Sequence, residues 1–180
     1  REYQYSLYQT KDPFVADRAY YYPYKLDIGK LQEAAGVIKS YTDFTSFSKR
    51  NTQVKTFNCN IIKSEWIITS NLAIYNVEAN RFLRGMVRGL VGTMLKAGVG
   101  KISIDEFCSI IESKDCTKAD FSVPPQGLFL LAVRYKFYRF NPAFSSCQLN
   151  VLFNFPLKSS LPHRHINFLT PISTLFSSLQ

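Results

Sequence analysis

The chain has 180 residues and a formal charge of +9, from 22 Lys and Arg against 13 Asp and Glu. A body of this size buries roughly 70% of the surface its unfolded form exposes, so one domain with a real core is expected. Excess positive charge attracts polyanions by releasing counterions from phosphates, which puts nucleic acid first among partner classes. No run of about 18 apolar residues could span a bilayer, so no membrane partner is expected. Cys59, Cys108, Cys116 and Cys147 form no C-x-x-C pair, which argues against a zinc ribbon or disulfide scaffold and fits a reducing cytoplasm. Arg1 opens the chain where an initiator Met would stand, and a missing upstream segment is expected.

Residues 1 to 8 read REYQYSLY. Tyr3, Tyr5 and Leu7 alternate with polar residues, as in a half-buried strand. Lys11-Asp12-Pro13 breaks it. Arg18 to Tyr24 (RAYYYPY) is a second extended segment, too rich in tyrosine for a helix and edged by Pro23. Asp27 suits the N-cap of a helix carrying Leu31, Ala34, Ala35 and Ile38 at helical spacing. Ser40 to Ser48 then predicts a turn with two buried phenylalanines. Thr56 to Thr69 and Leu72 to Val77 predict a hairpin around Ser70-Asn71.

Asn80 is an N-cap for a helix predicted over Arg81 to Ala97 (RFLRGMVRGLVGTMLKA). There Phe82, Met86, Leu90, Met94 and Ala97 form an apolar stripe, while Arg81, Arg84 and Arg88 share the other face. Gly85, Gly89 and Gly92 each cost about 1 kcal/mol of helix propensity relative to Ala, and their number points to close backbone packing. Gly98 and Gly100 end this helix. Ser103 and Glu106 form a capping box for another, with Phe107, Ile110 and Ile111 buried and Pro124-Pro125 as its stop. Leu128 to Tyr135 reads as a final strand. The order ββαββααβ predicts an α+β fold, a largely antiparallel mixed sheet with helices packed on it. Residues 1–137 form the body. Residues 138–180 contain no acidic residue and no glycine; they are expected to be a tail, whether flexible, accessory or from a shifted reading frame.

Several chemistries lack their residues. His163 and His165 have no nearby Cys or carboxylate to complete a metal shell, and Ser-His-Asp catalysis would need a histidine inside the body. Gly98-Val99-Gly100 follows a helix rather than a strand, unlike a dinucleotide-binding turn, and there is no P-loop. No metal and no nucleotide cofactor is expected.

An ordered series of segments carries more information: R-E-Y-Q-Y at residues 1–5, D-F-T-S-F at 43–47, A-N-R-F-L-R-G-M-V-R-G-L-V-G-T at 79–93, and G-L-F-L-L-A-V at 127–133. Together they resemble the tRNA pseudouridine synthase A family over nearly all of residues 1–137. V-K-T-F-N-C at 54–59 and R-F-L-R before M-V-R are similar to the variant found in Bacteroidetes-type bacteria.

The resemblance implies the C-terminal subdomain of a cofactor-free isomerase that converts uridine to pseudouridine in the anticodon arm of tRNA. It implies that Tyr3 stacks on the target uracil and is a candidate for handling the C5 proton. Arg88 matches the arginine that pairs with a catalytic aspartate, and Leu128 the apolar residue packed against the base. Arg81 and Arg84 are expected to contact RNA. A homodimer with a basic tRNA cleft is also implied. The aspartate of the family lies in an R-T-D-A-G segment that these residues do not contain. Thr42-Asp43, the only T-D pair, lacks both the preceding Arg and the following Ala-Gly, so a catalytically silent RNA-binding remnant is the alternative. Gly89, where relatives carry Asn or Ala, and Cys116, where they carry Arg, depart from the pattern.

Overall fold

The computed structural model describes residues 1–50, 52–69 and 71–135, and the backbone of 151–152. The elements are strands β1 (Glu2–Tyr8), β2 (Tyr20–Tyr21), β3 (Ile61–Ile68), β4 (Leu72–Ala79), β5 (Leu128–Val133) and β6 (Val151–Leu152), with helices α1 (Ile28–Val37), α2 (Met86–Gly98) and α3 (Ile104–Glu112). The sheet runs β3-β4-β1-β5-β6. Every neighbouring pair on that path is antiparallel, and β2 pairs parallel with the end of β1. This is the predicted α+β arrangement with a mixed, largely antiparallel sheet. Apart from the β6 backbone, the expected tail of residues 138–180, including His163, His165 and Cys147, lies outside the described residues.

β1 is the central strand because its alternate residues find partners on both sides. Tyr5 stands opposite Tyr75 of β4 and Leu128 of β5, and Tyr3 opposite Val77 and Leu130. Directly opposed residues of an antiparallel pair share a face. Tyr5, Leu7, Ala73, Tyr75, Val77 and Trp66 therefore form one apolar face, buried with Leu31, Ala34 and Ala35 of α1 and Met86, Leu90 and Met94 of α2.

Local signals set most boundaries. The Asp27 carboxylate accepts the Lys30 N–H at 3.2 Å and caps α1. Ser103 and Glu106 form the full capping box of α3. Phe44 and Phe47 are buried in the segment predicted as a turn.

The strand expected from Thr56 starts at Ile61, the extended segment expected over Arg18 to Tyr24 is a strand only at Tyr20–Tyr21, and two helix boundaries also differ from expectation. Helix α2 begins at Met86, not Arg81, because Gly85 sits at φ +82°, in left-handed space that stops a helix from extending backwards. Asn80 caps no helix; its side-chain oxygen accepts from the N–H of Arg81 and of Asn60, tying this segment to the entry of β3. Helix α3 ends at Glu112, well before Pro124, where Lys114 takes a left-handed φ of 53°.

The glycines of α2 do serve close approach. A Cβ on Gly89 would lie 2.7 Å from the Phe121 ring, and one on Gly92 would collide with the Asp120 carbonyl oxygen. The chain between α3 and β5 is thus laid directly on α2.

Candidate functional site: a cationic cleft beside the central strand

That laid-down chain forms one wall of a cleft. The Thr93 hydroxyl, buried, donates to Gly89 O at 2.8 Å and accepts the Asp120 N–H at 3.0 Å. Lys96 pairs with Asp120 at 3.2 Å. Burial pushes the Asp120 carboxyl up, but hydrogen bonds from Ser122 and the Lys96 ammonium outweigh it and hold the group below its ordinary value. Farther along, the Tyr5 hydroxyl donates to Pro124 O. At Gly127 a Cβ would stand 2.7 Å from Ser6 O and 3.1 Å from the Tyr5 ring, so only glycine lets β5 start flush against β1. Pro125 and Leu128 are placed in the cleft by these fastenings.

The opposite residues come from β1 and the approach to α2. Tyr3, Phe82, Arg84, Arg88, Leu128 and Lys49 all line one cleft of about 490 Å³. The Tyr3 and Phe82 rings meet edge to face, with centroids 5.0 Å apart and planes at 82°. That geometry suits the aromatic quadrupoles and fixes the Tyr3 ring. Arg88, in the first turn of α2, donates from Nε to Val123 O at 2.7 Å and from Nη2 to Phe121 O at 3.2 Å. Its remaining N–H groups have no partner among the described residues.

Of the residues singled out in the sequence, Tyr3, Arg84, Arg88 and Leu128 are brought together. Arg81 is not. Because residues 81–85 are not helical, the three arginines share no helix face, and Arg81 Nη1 instead donates to Thr56 Oγ1 at 3.1 Å. Phe82 and Lys49 are cleft residues that sequence reasoning missed. Phe82 was absorbed into the apolar helical stripe, and Lys49 stands 35 positions before Arg84 with no motif of its own.

The cleft offers an aromatic pair, an apolar floor and three cations, which suits a flat ring attached to an anion. Among the described residues no Asp or Glu lines it. Among the described residues, no group of three or more His, Cys, Asp and Glu is placed to hold a metal, and no helix is long and apolar enough to cross a membrane. A larger groove of about 1120 Å³ runs along the sheet past Phe129 and Leu131. Its Arg134 is already committed to Glu2 and Glu78 at 2.9 and 2.6 Å, so the smaller cleft carries the more available chemistry.

Helices on a largely antiparallel sheet, with Tyr3 of the central strand and Arg88 of α2 lining one cleft, form an α+β domain of the pseudouridine synthase class. The chain belongs to the tRNA pseudouridine synthase family, whose profile matches residues 41–136. Three of the four motif segments fall inside that stretch. Curated relatives called tRNA pseudouridine synthase A include that of Parabacteroides distasonis, 45% identical over 135 residues (75% of this chain, 54% of the relative). That of Porphyromonas gingivalis is 43% identical over 137 residues (75% and 54%), and that of Bacillus subtilis 38% over 137 (75% and 56%). The Bacteroidetes-like segments are in keeping with the first two. The chain spans about half the length of the curated relatives it matches.

Proposed function

We propose that this chain is the C-terminal subdomain, residues 1–137, of a tRNA pseudouridine synthase, and that its cleft receives a uridine of the tRNA anticodon arm. The observation that carries the reading is the convergence of Tyr3, Arg88 and Leu128, distant in sequence, on one cleft. A flipped-out uracil needs a flat apolar surface, and stacking on an aromatic ring is worth about 1–3 kcal/mol per base. Tyr3 supplies the ring and Leu128 the opposing apolar contact.

The reaction breaks the glycosidic bond, turns the uracil and rejoins it to the ribose through C5, with loss of the C5 proton and no cofactor. Tyr3 is the candidate for handling that proton. A carboxylate acting here must stay ionised, and a guanidinium beside it lowers its pKa by roughly 1–3 units. Arg88 is the group for that task, its plane already braced by Val123 and Phe121. The carboxylate belongs to an R-T-D-A-G segment that these 180 residues do not contain. In the complete enzyme we place the work in the cytoplasm and in a homodimer.

A second reading rests on the three cations of the cleft lining, Lys49, Arg84 and Arg88: RNA bound in the cleft with no chemistry following. Tritium release from tRNA labelled at uridine C5 separates the two, measured with this chain alone and with the longest product of its gene. Release from the longer product supports the synthase. Release from neither, with tRNA still bound, leaves the silent RNA-binding reading; loss of tRNA binding by both overturns the two together.

A further inference from the structure

The cleft has a cationic continuation on its Lys49 side. Lys49 lines the uridine cleft, and it also lines a second cleft of about 230 Å³ together with Arg50, Lys114, Thr45 and Thr52. Among the described residues it is the one common to both linings. The position is built rather than incidental. The Lys49 main-chain N–H donates to Arg84 O at 3.0 Å. Its alkyl stem lies across Gly85, where an added Cβ would stand 3.0 Å from Cγ and 3.4 Å from Cδ and Cε. Gly85 therefore does two things: it permits the left-handed turn that starts α2, and it leaves room for this stem.

The charges around Lys49 differ in availability. Lys114 is paired with Asp43 at 3.0 Å, and the Arg50 charge acts on Asp115. Lys49 and Arg84 have no ion pair among the described residues. An unneutralised ammonium where one cleft meets the next, with hydroxyls beyond it, suits the phosphate backbone of a strand whose base occupies the first cleft. An acidic protein segment would have no reason to enter both.

Resting on the reading above, we propose that Lys49 holds the phosphate flanking the bound uridine and that the cleft of Lys49, Arg50 and Lys114 carries the RNA strand onward. Lys49 is a positioning residue here, acting on the backbone and reading no base. Each phosphate contact contributes about 0.7–0.9 to the slope of log K against log salt.

The test is tRNA binding by the 180-residue chain, followed by fluorescence anisotropy over a salt series, for the wild type, Lys49→Ala, Lys49→Arg and Lys101→Ala. Lys49 is exposed, so the truncation leaves the fold intact. The expected result is a slope shallower by about 0.7–0.9 for Lys49→Ala alone, restored by Lys49→Arg and untouched by Lys101→Ala, since Lys101 is exposed between α2 and α3 and lines neither cleft. A wild-type slope in Lys49→Ala, with tRNA bound, overturns this assignment and leaves the proposed function standing. Failure of the 180-residue wild type to bind tRNA overturns this assignment, and the proposed function falls with it only if the longest product of the gene also fails to bind.

Discussion

Arg88 Nε donates to the main-chain carbonyl of Val123 at 2.7 Å, so the arginine of the M-V-R segment braces the cleft wall as well as charging it. The two duties make separable predictions. If the proposed function holds, Arg88→Ala in a protein competent for turnover is expected to lower kcat by at least about 100-fold while weakening tRNA binding far less, because the partner then lost is the catalytic carboxylate rather than the RNA. Steady-state kinetics set beside equilibrium binding checks this. Equal losses in both would place Arg88 among ordinary RNA contacts.

The same substitution leaves the carbonyls of Val123 and Phe121 without their donor. An unsatisfied buried polar group costs about 1–3 kcal/mol. Urea unfolding of the isolated chain should show a loss of that order for Arg88→Ala. A smaller loss is expected for Arg84→Ala, whose exposed side chain has no hydrogen-bond partner among the described residues.

Two glycine substitutions should act with opposite signs. Gly92→Ala drives a Cβ into the Asp120 carbonyl. Relief requires the stretch beside the cleft to move, at about 1–3 kcal/mol. Gly36, exposed within α1, has nothing within 4 Å of an added Cβ, and Gly36→Ala should stabilise by about 0.5–1 kcal/mol through helix propensity. Thermal melts of the two variants check the pair; a destabilised Gly36→Ala would contradict the open surroundings of that position.

Acid sensitivity follows from two carboxylates. At Asp43, the hydrogen bond from Thr45 comes first and Lys114 adds to it, together outweighing burial and holding the carboxyl below its ordinary value. Asp120 is also depressed, as described above. A carboxyl whose folded pKa lies below its unfolded value of about 3.9 contributes stability above that value and loses it as pH falls through the folded pKa. Unfolding free energy should therefore drop below about pH 4. Asp120→Asn should flatten that drop; an unchanged acid slope would show that Asp120 is not held in this way.

Thiol reactivity gives a further check on packing. Cys59 is only 2% exposed, and burial raises its pKa against the lowering influence of Arg81. The thiolate is the reactive form. Titration with a disulfide reagent in the native state should label Cys59 more slowly than Cys108 and Cys116, which are both partly exposed. Rapid labelling of Cys59 would mean that the β3 entry opens.

Local capping chemistry made α1 and α3 legible at their starts, since Asp27 and the Ser103/Glu106 pair satisfy backbone N–H groups within three residues of themselves. The hairpin and the central strand were legible from period-two alternation. The start of α2 was not: Phe82 and Met86 continue the helical spacing of Leu90 and Met94, and nothing in that pattern reports that Gly85 has a positive φ. The end of α3 was hidden because Lys114, a residue with no preference for left-handed space, turns the chain. At the site, resemblance supplied Tyr3, Arg88 and Leu128. Phe82 against Tyr3 and Lys49 over Gly85 are tertiary contacts between separate segments, invisible to spacing.

The stretch from Asp120 to Pro124 is fastened at separate points by Thr93, Arg88 and Tyr5. This amounts to redundancy. Each tie limits what the loss of another can do, so single removals under-report the worth of the whole. Thr93→Val and Tyr5→Phe should cost more together than the sum of their separate losses, with a coupling of about 0.5–3 kcal/mol. A cleft wall secured in this way tolerates individual substitutions until the second tie goes, and then releases as a unit.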